Sequence, residues 1–221
     1  LSNFMKILVL ISVLFTMLIS NTYLERLKIA KFEYPIIILL STLGMFVMIS
    51  ANNLIVFYLG LELQSLCLYV LAAINTKSLK SSEAGLKYFV LGSLSSGLLL
   101  YGCSLVYGFT GSVDYSEIAK VATEQSGALK FGLVFILCGI AFKISAVPFH
   151  MWAPDVYEGS PTSVTTFFAM APKVAAIAAL IKFLNVPYAN FISEWRTIVI
   201  VLSIASMFLG AVAAIGQSNL K

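Results

Sequence analysis

Long apolar stretches, each closed by polar, proline or glycine punctuation, recur along this sequence and leave it few ways to fold. A bilayer hydrocarbon core of roughly 30 Å is crossed by about 20 residues of α-helix, and blocks of about that size stand at 5–21, 35–50, 53–74, 84–108, 130–150, 161–184 and 196–216. They are too long for barrel strands and lack strict alternation, so helices are indicated. The second block is short, and Ala51, Asn52 and Asn53 predict a tight turn into the third. Composition agrees: 60% of the residues are apolar and 11% charged, against about 25% charged in soluble domains. A soluble enzyme, a disordered chain and a nucleic-acid binder are all disfavoured, and the net charge of +4 forms no continuous basic stripe.

The expectation is therefore an all-α, polytopic transmembrane helix bundle of about seven spans, one domain over 1–221 with proline-interrupted helices and no internal repeat. Arg26, Lys28, Lys31, Lys77, Lys80, Lys87 and Lys221 fall on one side of the membrane, and Lys6, Lys120, Lys130, Lys182 and Arg196 on the other. The excess places the 22–34 and 75–83 loops in the cytoplasm or matrix. The 109–129 loop then lies outside, where Tyr115, Ile118 and Val121 at helical spacing predict a short interfacial helix. Cys67, Cys103 and Cys138 sit in apolar blocks, at no metal-ligand spacing, and read as small buried hydrophobes. The chain opens on Leu1 and closes on Lys221 after an apolar block, which reads as an internal piece of something longer; the first block lacks a cleavage site and reads as a span.

Three ionisable residues stand where solvation is poor: Glu62 in the third block, Lys143 in the fifth and Lys173 in the sixth. A charge at mid-membrane costs about 2.5–3.5 kcal/mol on insertion scales, so each needs a partner or water inside the bundle. One account is a buried ion pair between Glu62 and one lysine that fixes helix packing. Such pairs are weak stabilisers, and this one leaves the second lysine unexplained. The other account is an ion or proton path, in which moving Glu62 toward or away from Lys143 changes whether the lysine keeps its proton and passes the effect to Lys173. His150, two helical turns after Lys143, lies on the same face if the helix continues; it is either an interfacial hydrogen-bonder or a relay group. Lys182, near the end of its block, is expected to snorkel. Pro148 and Pro172 remove backbone donors and free the carbonyls of Ile144 and Phe168, which points to an internal polar passage that Gln64, Ser145, Ser163, Thr165 and Thr166 could line.

The stretches Gly60-Leu61-Glu62-Leu63-Gln64-Ser65-Leu66, Ser82-Glu83-Ala84-Gly85-Leu86-Lys87-Tyr88-Phe89 and, above all, the run from Phe142 to Thr162 closely resemble the antiporter-like membrane subunits of respiratory complex I, the subunit N family in particular. The resemblance covers essentially the whole chain. It implies a proton-translocating subunit of NADH:quinone oxidoreductase, with Glu62, Lys143, His150 and Lys173 in the positions of the family's proton-carrying residues and Lys143 on a broken helix. The seven blocks would be helices three to nine of a fourteen-helix subunit, so the second inverted half is absent. The implied partners are other membrane subunits of the complex and the lipid bilayer, without nucleic acid. The implied location is a bacterial plasma membrane, or alternatively the mitochondrial inner membrane.

No cofactor is expected on this chain, which has one histidine, no cysteine ligand set and no glycine-rich phosphate loop. NAD, FMN, iron–sulfur clusters and quinone belong, by the resemblance, to other parts of the complex. His150 has no Ser or Cys partner by spacing, so nucleophilic catalysis is not expected. Two further readings remain: a subunit of a multi-component sodium/proton antiporter, and a purely structural membrane subunit.

Overall fold

A computed structural model describes residues 1–121, 126–217 and 219. Nine α-helices are formed by the described residues: α1 (Ser2–Arg26), α2 (Glu33–Ser50), α3 (Leu54–Ala72), α4 (Leu79–Thr110), α5 (Tyr115–Val121), α6 (Ser126–Ile144), α7 (Ala153–Gly159), α8 (Thr162–Asn185) and α9 (Ile192–Gly216). A 3-10 turn at Ala189–Phe191 leads into α9, and the described residues form no strand. Among the described residues, six helical segments are long and apolar enough to cross a membrane: α1, α2, α3, α4, α8 and Ala189–Gly216.

Local chemistry sets most of the boundaries. Asn53 caps α3 by accepting from the amides of Ile55 (2.7 Å) and Val56 (3.4 Å). Its side-chain amide also donates to Asp114 at 2.8 Å, which ties the expected turn to the start of α5. Ser78 caps α4, which starts at Leu79 rather than at 84. The helix outruns its apolar block because Lys80 and Lys87 find acidic partners on α7. Gly111 closes α4 with φ +68°, its amide bonded to the carbonyl of Tyr107 at 2.8 Å. The short helix anticipated in the 109–129 loop is α5, with Tyr115 and Ile118 packed into the protein, Tyr115 edge-on to Phe183. Residues 122–125 of that loop, and Lys221 in the charge count, lie outside the described residues.

Helices α2 and α3, α4 and α6, and α1 and α8 pair closely, and α8 also touches α2, α3 and α6. The α2–α3 approach depends on two glycines: a Cβ on Gly44 would lie 2.6 Å from the amide nitrogen of Gln64, and one on Gly60 would lie 2.6 Å from that of Met48. Large apolar side chains such as Leu18, Leu79, Leu94 and Phe208 are exposed, the reverse of a soluble protein and the arrangement lipid requires. Helix α9 is the extreme case, with no buried residue. It is held to the bundle by Ser206, which accepts from the amide of Val147 at 3.0 Å, and by a Lys130–Glu194 ion pair at 2.9 Å.

The fifth block departs from expectation. Helix α6 stops at Ile144 instead of running to 150, because Pro148 restricts the backbone before it and removes a donor. The chain then turns through 145–152 into α7, so His150 is not on the helical face of Lys143.

Candidate functional site

The end of α6 is a Schellman turn with serine where glycine is usual. Ser145 has φ +64°, its amide bonds to the carbonyl of Phe142 (3.1 Å), and the amide of Ala146 reaches the carbonyl of Ala141 (2.9 Å). The carbonyls of Lys143 and Ile144 are left without intrahelical donors, as the proline argument requires for Ile144. Lys173 on α8 fills the gap: its ammonium donates to the carbonyls of Ile144 (2.9 Å) and Lys143 (3.3 Å) and to the Ser145 hydroxyl. It also lies 4.8 Å from the centre of the Trp152 ring, a cation–π contact. Trp152 is itself pinned to the broken end of α6, donating from Nε1 to the carbonyl of Phe142 at 3.0 Å, and it stacks on Tyr88 of α4 at 4.3 Å.

Lys143 occupies the last turn of α6 and is 4% exposed, so its side chain must find its polar contacts inside the bundle. Its ammonium donates to Ser65 Oγ at 2.7 Å and to Tyr69 Oη at 3.4 Å, both on α3. Ser65 in turn donates to the carbonyl of Leu61 at 2.5 Å. Glu62 sits one turn before Ser65 on α3 and accepts from the Ser96 hydroxyl of α4, which also bonds to Tyr58 at 3.3 Å. Among the described residues neither lysine has a carboxylate within 4 Å, so the direct buried ion pair considered above is not formed.

The structure therefore draws Glu62, Lys143 and Lys173 into one row: the two lysines meet at the broken end of α6, and Glu62 precedes by one turn of α3 the Ser65 that Lys143 reaches. His150 lies elsewhere than expected. It lines a cavity of about 360 Å³ with Ser145, Tyr157 and Glu158, walled by α9, and Ser145 is the hydroxyl bonded to Lys173. Its Nδ1 is buried and has no hydrogen-bond partner among the described residues. Of the residues anticipated to line the passage, Ser145 alone bonds to a lysine. Thr165 donates to the carbonyl of Tyr157 (3.0 Å), Thr166 to that of Thr162 (3.0 Å), Ser163 lies against Tyr34, and Gln64 is buried with its Oε1 unpartnered. Lys182 reaches back to the carbonyl of Ser50 at 2.9 Å and so caps the C-terminus of α2.

A family model described as NADH:quinone oxidoreductase/Mrp antiporter, TM, matches residues 51–221. The chain belongs to this family. Within the NADH:quinone oxidoreductase/Mrp antiporter family it is similar to NADH-quinone oxidoreductase subunit N of Pelagibacter ubique, 64% identical over all of this chain and 47% of that protein. The subunit N of Parvibaculum lavamentivorans is 57% identical over all of this chain and 46% of its own length. The chain thus spans about half the length of the curated relatives it matches. Among solved structures, respiratory complex I of Thermus thermophilus with bound aureothin contains a chain that superposes with a TM-score of 0.83 at 34% identity, covering 100% of this chain and 46% of that one. The Mrp complex of Dietzia sp. gives 0.81 at 26% identity, covering 96% of this chain and 40% of its counterpart.

Ser65, Tyr69, Ser96 and Trp152 were not singled out from the sequence. Ser65 and Tyr69 carried a usable signal, since they follow Glu62 at i+3 and i+7 and so share its face. Ser96 and Trp152 carried none, because their contacts depend on how α4 and the 145–152 turn pack.

Proposed function

We propose that this chain is part of a proton-translocating membrane subunit of an NADH:quinone oxidoreductase, resident in a bacterial inner membrane and assembled with the other membrane subunits of that complex. It moves protons between Glu62, Lys143, Lys173 and His150, while NADH oxidation and quinone reduction, with their cofactors, take place on other subunits. The observation that carries the reading is the double use of the α6 break. Lys143 sends its ammonium to Ser65 and lends its backbone carbonyl to Lys173, so a change of charge at one amine is felt at the other across one residue. Architecture alone gives little reason for a buried amine and a half-buried one so close together, because like charges oppose one another in a poorly solvated interior.

The Dietzia structure keeps a sodium/proton antiporter subunit as the alternative; the subunit N relatives favour the complex I reading. The test is Lys143→Ala and Glu62→Gln in the full-length subunit within its assembled complex. Proton uptake by inverted membrane vesicles is expected to fall about tenfold or more, the scale set by losing a hydrogen bond to a buried charge, with the complex still present. Normal proton uptake in Lys143→Ala would refute the proposal, and sodium-dependent transport without NADH oxidation would support the antiporter.

A further inference from the structure

Helix α4 carries no lysine or carboxylate in the row, yet it touches both ends of the Glu62–Lys143 pair. Ser96 holds Glu62. One turn earlier is Gly92, buried in the α4 surface that faces α3. A Cβ on Gly92 would lie 2.6 Å from Cζ and 2.9 Å from Cε1 of Tyr69 and would meet its hydroxyl oxygen head-on. The phenol of Tyr69 fills the space where a side chain on residue 92 would be. Tyr88 and Phe89, also on α4, flank the ring edge-on at 4.8 and 5.8 Å. The ring is thus located from α4, although it grows from α3, and its hydroxyl is one of the two side-chain acceptors of the Lys143 ammonium.

We infer that Gly92 is a positioning residue for proton transfer: by lacking a side chain it seats the Tyr69 hydroxyl against Lys143, while Ser96 on the next turn seats Glu62. Spacing between carboxylate and amine is then set by one helical turn of α4. A rise of 1.5 Å per residue makes that turn a fixed ruler of about 6 Å over four residues. Any other residue at 92 displaces the phenol, and the ammonium keeps Ser65 as its remaining side-chain acceptor. The inference rests on the proton-transfer reading given above.

The experiment compares Gly92→Ala, Tyr69→Phe and the double variant in the full-length subunit of the assembled complex, with Lys143→Ala as a control. Proton uptake per NADH oxidised is measured in inverted vesicles, together with the amount of complex in the membrane. Each single variant is expected to reduce proton uptake about threefold to tenfold, the range for weakening a hydrogen bond to an ion, and the double variant is expected to fall no lower than the worse single. A glycine needed only for close helix packing gives the opposite result, with Gly92→Ala lowering proton uptake as much on the Tyr69→Phe background as alone. That outcome, or wild-type uptake in either single variant, overturns the inference. If Gly92→Ala prevents assembly, Tyr69→Phe decides alone. Should Lys143→Ala itself pump normally, the function reading fails; a Lys143→Ala defect beside a silent Tyr69→Phe removes only the role of Gly92 and Tyr69.

Discussion

At the scale of single residues, Ser145 combines two demands that usually fall to different positions. Its backbone takes the left-handed conformation that ends α6, at a cost of about 1–2 kcal/mol for a residue with a Cβ, and its hydroxyl bonds to Lys173. Glycine would meet the first demand better, so its absence points to the hydroxyl. Ser145→Gly and Ser145→Ala separate the two. Both are expected to impair proton uptake, because both remove the hydroxyl, whereas the glycine variant should be the more stable of the two by about 1 kcal/mol in thermal unfolding of the solubilised complex. Glycine at 145 with undiminished proton uptake would mean that the serine hydroxyl is dispensable to Lys173.

At the scale of elements, periodicity and punctuation located most of the helices, since each apolar block must become a helix to satisfy its backbone in lipid. The exception is instructive. Pro148 announced an interruption, but the apolar run hides where the helix ends: Val147, Phe149 and Met151 continue the hydrophobic character past Ile144, while the turn that re-aims the chain is already at Ser145. Glu62, Lys143 and Lys173 were legible because charge at membrane depth is costly wherever it occurs. Of their hydroxyl partners, Ser145 was named, and Ser65 and Tyr69 were readable from their spacing to Glu62, but Ser96 was not, because serine is common in membrane helices and its role depends on which helix lies opposite. Pair contacts have the same origin. Gly44 and Gly60 let α2 and α3 touch through their backbones, and Gly60→Ala should force them apart. Overpacking of this kind costs about 1–3 kcal/mol, and because α3 carries Glu62, Ser65 and Tyr69 the variant is expected to lose both assembled complex and the proton uptake of what remains.

At the scale of the whole molecule, the polar row runs through the bundle, with Lys143 buried and Glu62 and Lys173 half-buried, while compact ionic contacts occupy the ends. At one end Lys80 pairs with Glu158 at 2.9 Å, and Lys87 pairs with Asp155 at 2.6 Å and with Glu83 at 2.8 Å. The Glu158 and Asp155 pairs fasten α7 to α4, and Trp152, at the base of α7, stands over Lys173. Whatever loosens α7 therefore reaches the row. The Lys80 ammonium, by hydrogen bonding to it, holds the Glu158 carboxyl below the usual carboxylate range. A carboxyl depressed in the folded state contributes fully at pH values above its ordinary pKa, and the contribution is lost as pH falls through the depressed value. Attachment of α7 should accordingly be constant from neutrality down to about 4.3, the ordinary glutamate pKa, and weaken only below it. Added salt should weaken it at any pH, because the pairs are solvent-exposed. Hydrogen exchange at 153–159, corrected for the intrinsic pH dependence of exchange, measures this directly, and Glu158→Gln is expected to show at neutral pH the looser state that the unaltered protein reaches only in acid. Protection that already falls between pH 8 and 6 would assign the hold on α7 to a group other than this carboxylate.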